Sequence, residues 1–170
     1  MKKADLSLLA KEDAFDLLDR QWMLITAGNK EKYNTMTASW GGIGVLWNRP
    51  VAFIFVRPER YTHEFIEQNE RVTLSFYAEE YRKALTICGT KSGRDIDKAK
   101  EAGLTPIETE TRDITFDEAR MTVVGRKLFK TEMTDESFLD KSILSRWYHT
   151  AKGDGLHTIY ILEIETIYEK

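Results

Sequence analysis

The run Val51-Ala52-Phe53-Ile54-Phe55-Val56, closed off by Pro50 and Pro58, constrains this chain more than any other feature. It is too short for a core helix and too continuous for a strand with one wet face. It therefore predicts a strand covered on both sides. More β-signals surround it. Trp22 to Gly28 reads as a second buried strand, with a turn at Gly28-Asn29-Lys30. Tyr33 to Trp40 is rich in β-formers and predicts a strand paired back as a hairpin. Arg71 to Ala78 places Val72, Leu74 and Phe76 in alternation, the pattern of a half-buried strand. Ile114 to Phe116, Met121 to Thr131 and His157 to Ile164 predict the remaining strands.

Helical patterns fall between them. Residues 12–20 carry Phe15, Leu17 and Leu18 in a charged setting. Thr62 to Glu70 predicts a helix N-capped by Thr62, with Phe65 and Ile66 facing inward. Two short helices, 81–88 and 95–102, flank the loop Gly89-Thr90-Lys91-Ser92-Gly93, the second capped at Asp95. Asp135 to Thr150 predicts a longer helix with Phe138, Leu139, Ile143, Leu144 and Trp147 on its apolar side. Strands with intervening helices and no βαβ alternation predict an α+β, mainly β fold based on a barrel. No repeat or long linker divides residues 1–170, so one domain is expected. No Gly-x-Gly-x-x-Gly follows the first strand and no Walker loop occurs, which argues against a Rossmann or P-loop nucleotide site.

Charge narrows the function classes. With 25 Lys and Arg against 28 Asp and Glu, the net charge is −3, and no basic face is forced on the surface. Nucleic-acid binding is not expected. No apolar run approaches the roughly 20 residues that span a bilayer. The N-terminal apolar stretch is too short for a signal peptide, and Lys11, Glu12 and Asp13 follow it. The expected location is the cytoplasm. Cys88 is the single cysteine, which excludes an intrachain disulfide, and it reads as a packing residue. His63 and His149 lie in charged helical stretches and read as surface residues. The three histidines share no metal-ligand spacing. No Ser-His-Asp or paired-carboxylate arrangement supports hydrolysis.

Four clusters carry candidate chemistry. In Asn34-Thr35-Met36-Thr37-Ala38-Ser39-Trp40-Gly41-Gly42, hydroxyls and glycines let backbone amides approach a flat polar ring, with Trp40 against it. The same residues also read as an edge strand ending in a glycine turn. In Val56-Arg57-Pro58-Glu59-Arg60-Tyr61-Thr62-His63, two arginines lead into a helix start, an anion site suited to a phosphate monoester. Solvated arginines capping a loop are the alternative. Cys88 to Lys98 sets Ser92 and Gly93 between cations before a helix, which suits a phosphate or polyol chain or is a plain connecting loop. In Gly153-Asp154-Gly155-Leu156-His157-Thr158, His157 opens a strand, as a donor or proton carrier near neutral pH or as the partner of a nearby carboxylate.

In series these clusters resemble the flavin reductase-like family of FMN-binding split barrels, in particular its flavoredoxin branch. The matching residues are Asn34 to Trp40, Pro50 to Thr62, Ser92 to Lys98 and His157 to Ile164, within a likeness spanning roughly residues 20 to 165. The resemblance implies a Greek-key split β-barrel with peripheral helices, a homodimer, and one FMN per subunit near the dimer interface. It implies that Met36, Thr37, Ala38, Ser39 and Trp40 line the isoalloxazine. Arg57 and Thr62 hold the phosphate, with Ser92, Gly93 and Lys98 helping, and His157 stands where a nicotinamide stacks. Leu162 replaces a glycine common in the family's last strand, and the expectation is a narrower space near the flavin. The implied activity is hydride transfer from NADH or NADPH to FMN, then electron delivery to a flavin, a metal complex or a redox protein. The alternatives are an FMN-containing electron carrier reduced by a protein partner, and a split-barrel binding module without reductase activity.

Overall fold

The long apolar run forms most of a strand that lies one place from a sheet edge, in a computed structural model that describes residues 1–148 and 155–170. The strands, in chain order, are β1 (Lys2–Ala4), β2 (Met23–Gly28), β3 (Tyr33–Ala38), β4 (Gly41–Leu46), β5 (Arg49–Val56), β6 (Arg71–Phe76), β7 (Pro106–Glu108), β8 (Ile114–Phe116), β9 (Met121–Glu132) and β10 (Thr158–Glu169). The helices are α1 (Leu6–Ala10), α2 (Tyr61–Gln68), α3 (Arg82–Thr90), α4 (Lys98–Ala102) and α5 (Ser142–Trp147), with a π-helical turn at Asp16–Gln21 before β2.

The main sheet has the order β3-β2-β6-β9-β10-β5-β4, every pairing antiparallel, with β1 added on β10. Its two edge strands, β3 and β4, are neighbours in sequence with only Ser39 and Trp40 between them. Three extended peptide units reach about 10 Å. The sheet must therefore curl until its edges nearly meet at Ser39 and Trp40. No ladder joins them, so the result is a split barrel rather than a closed one.

Inside the barrel lie Met23, Ile25, Ile54, Val56, Phe76, Val123, Tyr160 and Leu162. A second cluster, with Leu24, Tyr77, Leu85, Cys88, Leu104 and Phe116, packs under α3 and α4 on the other face of β2 and β6. Cys88 is buried there, as its sequence setting predicts, and burial pushes its thiol pKa up to about 11. Gly28, at φ +118°, makes the predicted turn after β2, with Asn29 Oδ1 accepting from the amides of Glu31 and Lys32.

Several local expectations change. β6 is buried on both faces rather than half-buried, because β8 lies over it. Thr73 Oγ1 donates to the Ile114 carbonyl at 2.5 Å, and the Ser75 and Thr115 hydroxyls sit 2.9 Å apart. In β5, Phe53 and Phe55 are only half-covered. α2 is preceded by Arg60 at the N-cap position, and Thr62 is inside the helix. α4 is capped by Asp97, whose carboxylate accepts from the Lys100 amide, and not by Asp95. The predicted helix from Asp135 to Thr150 is broken: a short 3₁₀ turn at Asp135–Ser137 precedes α5. Asp140 Oδ1 accepts from both the amide and the hydroxyl of Ser142, and this Asx-type turn starts a new helix. Leu139, expected on an apolar face, is 99% exposed in the gap. His149, Gly153 and Asp154 lie outside the described residues. β4, β1, α1 and β7 have no counterpart in the sequence reading, which took Gly41-Gly42 as a turn or a ligand wall.

Candidate functional site

β3 ends and β5 ends at the same corner of the split barrel, and a cavity of about 310 Å³ opens there. Met36, Thr37, Ala38, Ser39 and Trp40 form one wall. Phe55, Arg57 and Arg60 form a second, and Gly89 of α3 and His157 close the rest. α3 can lie this close to β3 because Gly89 has no side chain: a Cβ there would sit 3.2 Å from the Thr37 Cβ. Thr37 Oγ1 donates to the Leu85 carbonyl at 2.5 Å and fixes the same contact.

β3 is an edge strand, so alternate residues aim their peptide groups away from β2. The Thr35 carbonyl does so and accepts from outside the sheet. The alternation turns the N–H and C=O of Thr37 outward as well, beside the cavity.

The cavity's charge is one-sided. Among the described residues two guanidinium groups line it and no carboxylate does. Among the described residues neither arginine has an ion-pair partner; Arg57 Nη2 donates to the Trp147 carbonyl at 2.6 Å and Arg60 Nη1 to the Gly89 carbonyl at 2.9 Å. The Arg57 guanidinium also lies 5.1 Å from the Tyr148 ring centre. Burial, and after it the Arg57 charge, draws the Arg60 pKa down. Two like charges held together without a counterion are an anion site waiting on chemistry they do not supply themselves.

His157 lies on the cavity wall and is buried, with Nδ1 2.7 Å from the Tyr148 hydroxyl and its ring 5.5 Å from Trp40. Burial first, and then Arg57, lowers its pKa to about 4. This favours a neutral imidazole at neutral pH, hydrogen-bonded to the Tyr148 hydroxyl. Trp40 packs edge-on against Trp147 at 5.3 Å and is 41% exposed.

This arrangement fits FMN. The arginine pair suits a phosphate, the outward peptide groups of β3 suit the polar edge of a flavin, and Met36, Trp40 and Phe55 suit its ring. Over residues 15–170 the sequence matches the family described as flavin reductase like domain. The chain belongs to that family.

No curated protein sequence matches this flavin reductase like chain. Solved structures do. The flavoredoxin of Desulfovibrio vulgaris (Miyazaki F) aligns with a TM-score of 0.68 at 20% identity, over 100% of this chain and 77% of its own. The flavoredoxin of Methanosarcina acetivorans aligns at 0.69 and 20% identity, over 88% and 68%. The NADH:FAD oxidoreductase of Streptomyces globisporus aligns at 0.65 and 15% identity, over 88% and 75%. At these identities the likeness establishes the fold.

Within the family's fold, the residues singled out in sequence divide into two groups. Met36, Thr37, Ala38, Ser39, Trp40, Arg57 and His157 come together at the cavity. Thr62, Ser92, Gly93 and Lys98 do not line it. Thr62 is fully buried, and its Oγ1 accepts from Asn34 Nδ2 at 2.8 Å. Lys98 is buried, with Nζ donating to the carbonyls of Thr35 and Cys88, each at 2.8 Å. Burial, and then the nearby Arg60, lowers its pKa to about 8. Ser92 Oγ accepts from the Arg94 amide at 3.2 Å. Gly93 and Lys98 border a different hollow of about 210 Å³ with Asn34 and Thr35. Leu162 points into the barrel interior, where a Cβ on Gly125 would lie 2.9 Å from its own Cβ. It does not narrow the cavity. His63, expected on the surface, is half-buried with Nε2 3.1 Å from the Thr158 hydroxyl. The residues singled out in sequence lacked Arg60, Phe55 and Gly89. Arg60 and Phe55 lie within the stretch Pro50 to Thr62 that also holds Arg57, and nothing local marks Gly89 as a wall residue.

Proposed function

We propose that this protein binds FMN in the cavity at the β3–β5 corner and works as an NADH- or NADPH-dependent flavin reductase. Its electrons pass on to a separate acceptor. The observation that carries the reading is the pair Arg57 and Arg60 facing a cavity that no carboxylate among the described residues lines, next to the outward peptide groups of β3. The names of similar structures, two flavoredoxins and an NADH:FAD oxidoreductase, support it. When bound, FMN supplies a ring that accepts a hydride and releases electrons singly or in pairs.

The protein's part is binding, orientation and exclusion of water. Arg57 and Arg60 hold the phosphate by charge-assisted hydrogen bonds while keeping their carbonyl contacts, since a guanidinium has five N–H donors. The Thr37 peptide groups orient the ring edge. Trp40 and Phe55 cover apolar ring surface. Neutral His157, held by Tyr148, offers a ring nitrogen without adding a positive charge beside the two arginines. Thr62 and Lys98 act behind the wall, by holding Asn34 and the end of α3 in place.

A second reading, an electron carrier reduced by a protein partner, draws on the crowding of Trp40 by Trp147 and His157, which restricts entry for a nicotinamide. We further propose a homodimer. Val45, Trp47, Phe129 and Leu139 are exposed apolar side chains, and Trp47 and Phe129 lie with ring centres 6.3 Å apart. The deciding experiment is a visible spectrum of the protein with FMN, followed by anaerobic addition of NADH and NADPH. Flavin bands that bleach quickly are the expected result. Bands that persist until dithionite is added favour the carrier, and absence of flavin binding overturns the proposal.

A further inference from the structure

A second cavity, of about 540 Å³, adjoins the first and shares Ser39, Trp40 and Phe55 with it. Its chemistry is opposite. Phe15, Leu18, Trp40, Ile43 and Phe55 give it apolar and aromatic walls, and Gly41 and Gly42 give it a floor of bare backbone. Among the described residues one carboxylate, Asp19, lines it, and no lysine, arginine or histidine does. Among the described residues the first cavity has two cations and no carboxylate, so their charges divide across the Trp40 partition.

We propose that this second cavity receives the electron acceptor, and that the acceptor is a neutral planar aromatic oxidant of the quinone class. The inference rests on FMN occupying the first cavity. The size lies in the roughly 300–1,000 Å³ range of small-molecule sites. A bare-backbone floor and aromatic walls suit a flat ring, which stacks on both. Asp19 repels anionic acceptors such as ferric carboxylate chelates. A redox protein cannot enter a space of this size. Phe15 immediately precedes the π-helical turn at the cavity rim and is 87% exposed, an arrangement that leaves a large ring uncovered until something flat lies against it.

The reaction balances with a dihydronicotinamide as reductant. Its C4–H bond breaks, and the two electrons of that hydride pass by way of the flavin across the Trp40 partition. Both quinone C=O groups become C–OH. One of the protons they gain derives from the hydride and the other from water. The sum is dihydronicotinamide, quinone and a proton giving oxidised nicotinamide and hydroquinone.

The test uses 2-methyl-1,4-naphthoquinone and its anionic relative 1,4-naphthoquinone-2-sulfonate. Binding of each to the flavin-free protein is read by quenching of tryptophan fluorescence, and reduction of each by the FMN-loaded protein is followed with NADH or NADPH. The neutral quinone should bind at least about 10-fold more tightly than the sulfonate and have the higher kcat/KM by a similar factor. Phe15→Ala should weaken neutral quinone binding about 5-fold or more. Asp19→Asn should shrink the neutral-to-anionic preference to below about 3-fold. Both side chains are exposed, so neither change is expected to unfold the protein. If FMN binds and bleaches but the two quinones behave alike, or the neutral one does not bind, the acceptor site is wrong and the cofactor reading stands. A second copy of the chain filling the cavity gives that same absence of binding. If FMN does not bind at all, the cofactor reading fails and takes the acceptor role with it, whatever the quenching shows.

Discussion

Arg57 and Lys98 are both cations beside β3, yet they belong to different machinery. Arg57 ends on the cavity wall with most of its donors open to a ligand. Lys98 ends inside the protein, its ammonium clasped between the Thr35 carbonyl on a sheet edge and the Cys88 carbonyl near the end of α3. Arg60 belongs to both: it lines the cavity and holds the Gly89 carbonyl one residue further on. A positive charge near a site is thus no measure of its role. What matters is whether its donors are already taken by carbonyls the fold leaves without partners.

Four outcomes would break or sharpen that division. The largest effect is expected from Arg57→Ala, which should weaken FMN binding on the order of 100-fold while leaving the urea midpoint nearly unchanged. A flavin titration beside a denaturation curve reads both. Unaltered affinity would erase the functional half of the comparison.

The next is acid sensitivity on the cavity side. His157 has a folded pKa of about 4, below its ordinary value of 6.5. Between those values the unfolded chain binds the extra proton, so stability falls as pH drops from 6.5 toward 4, by about 2–3 kcal/mol at the limit. His157→Phe should flatten that limb, measured as the difference between wild-type and variant urea curves across the window. Parallel curves would remove His157 from the acid response.

Lys98→Met should show the reverse of Arg57→Ala: a loss of about 2 kcal/mol in stability, because two carbonyls lose their donor, with FMN affinity changed by less than about 3-fold. A large loss of affinity at unchanged stability would move Lys98 into the cofactor site. The smallest effect is alkaline. The folded pKa of Lys98, about 8, lies below its ordinary 10.5. Between these values the unfolded state holds more protons, so the group's contribution to stability rises with pH. The deficit of Lys98→Met against the wild type should therefore widen between pH 8 and 9, by about 1 kcal/mol. A deficit that narrows would reverse the sign assigned to this buried amine.

Much of the fold was legible in local pattern. Val51 to Val56 could only be a strand, Gly28 with Asn29 could only be a turn, and the alternation of β6 placed Val72, Leu74 and Phe76 toward the barrel. β6 also shows the limit. Thr73 and Ser75 read as its wet face, and they are buried because a hairpin forty residues away supplies hydroxyl and carbonyl partners. The cavity was legible to the same degree. Met36 to Trp40 and Arg57 stood in contiguous motifs, each with a recognisable chemistry. Gly89 becomes a wall residue only through long-range packing, and it carries no local mark.

From sequence alone came the strand and turn vocabulary, the mainly β class, and the order of motifs that resembles flavin reductase-like proteins. Short-range periodicity and backbone restrictions decide these, and they are written in neighbouring residues. Only the tertiary structure decided which polar side chains of those motifs remain available to a ligand. Lys98 and the carbonyl it meets on β3 are 63 residues apart. Whether that carbonyl needs a donor depends on β3 being a sheet edge, and a sheet edge is a property of strand order, which no residue in either segment encodes by itself.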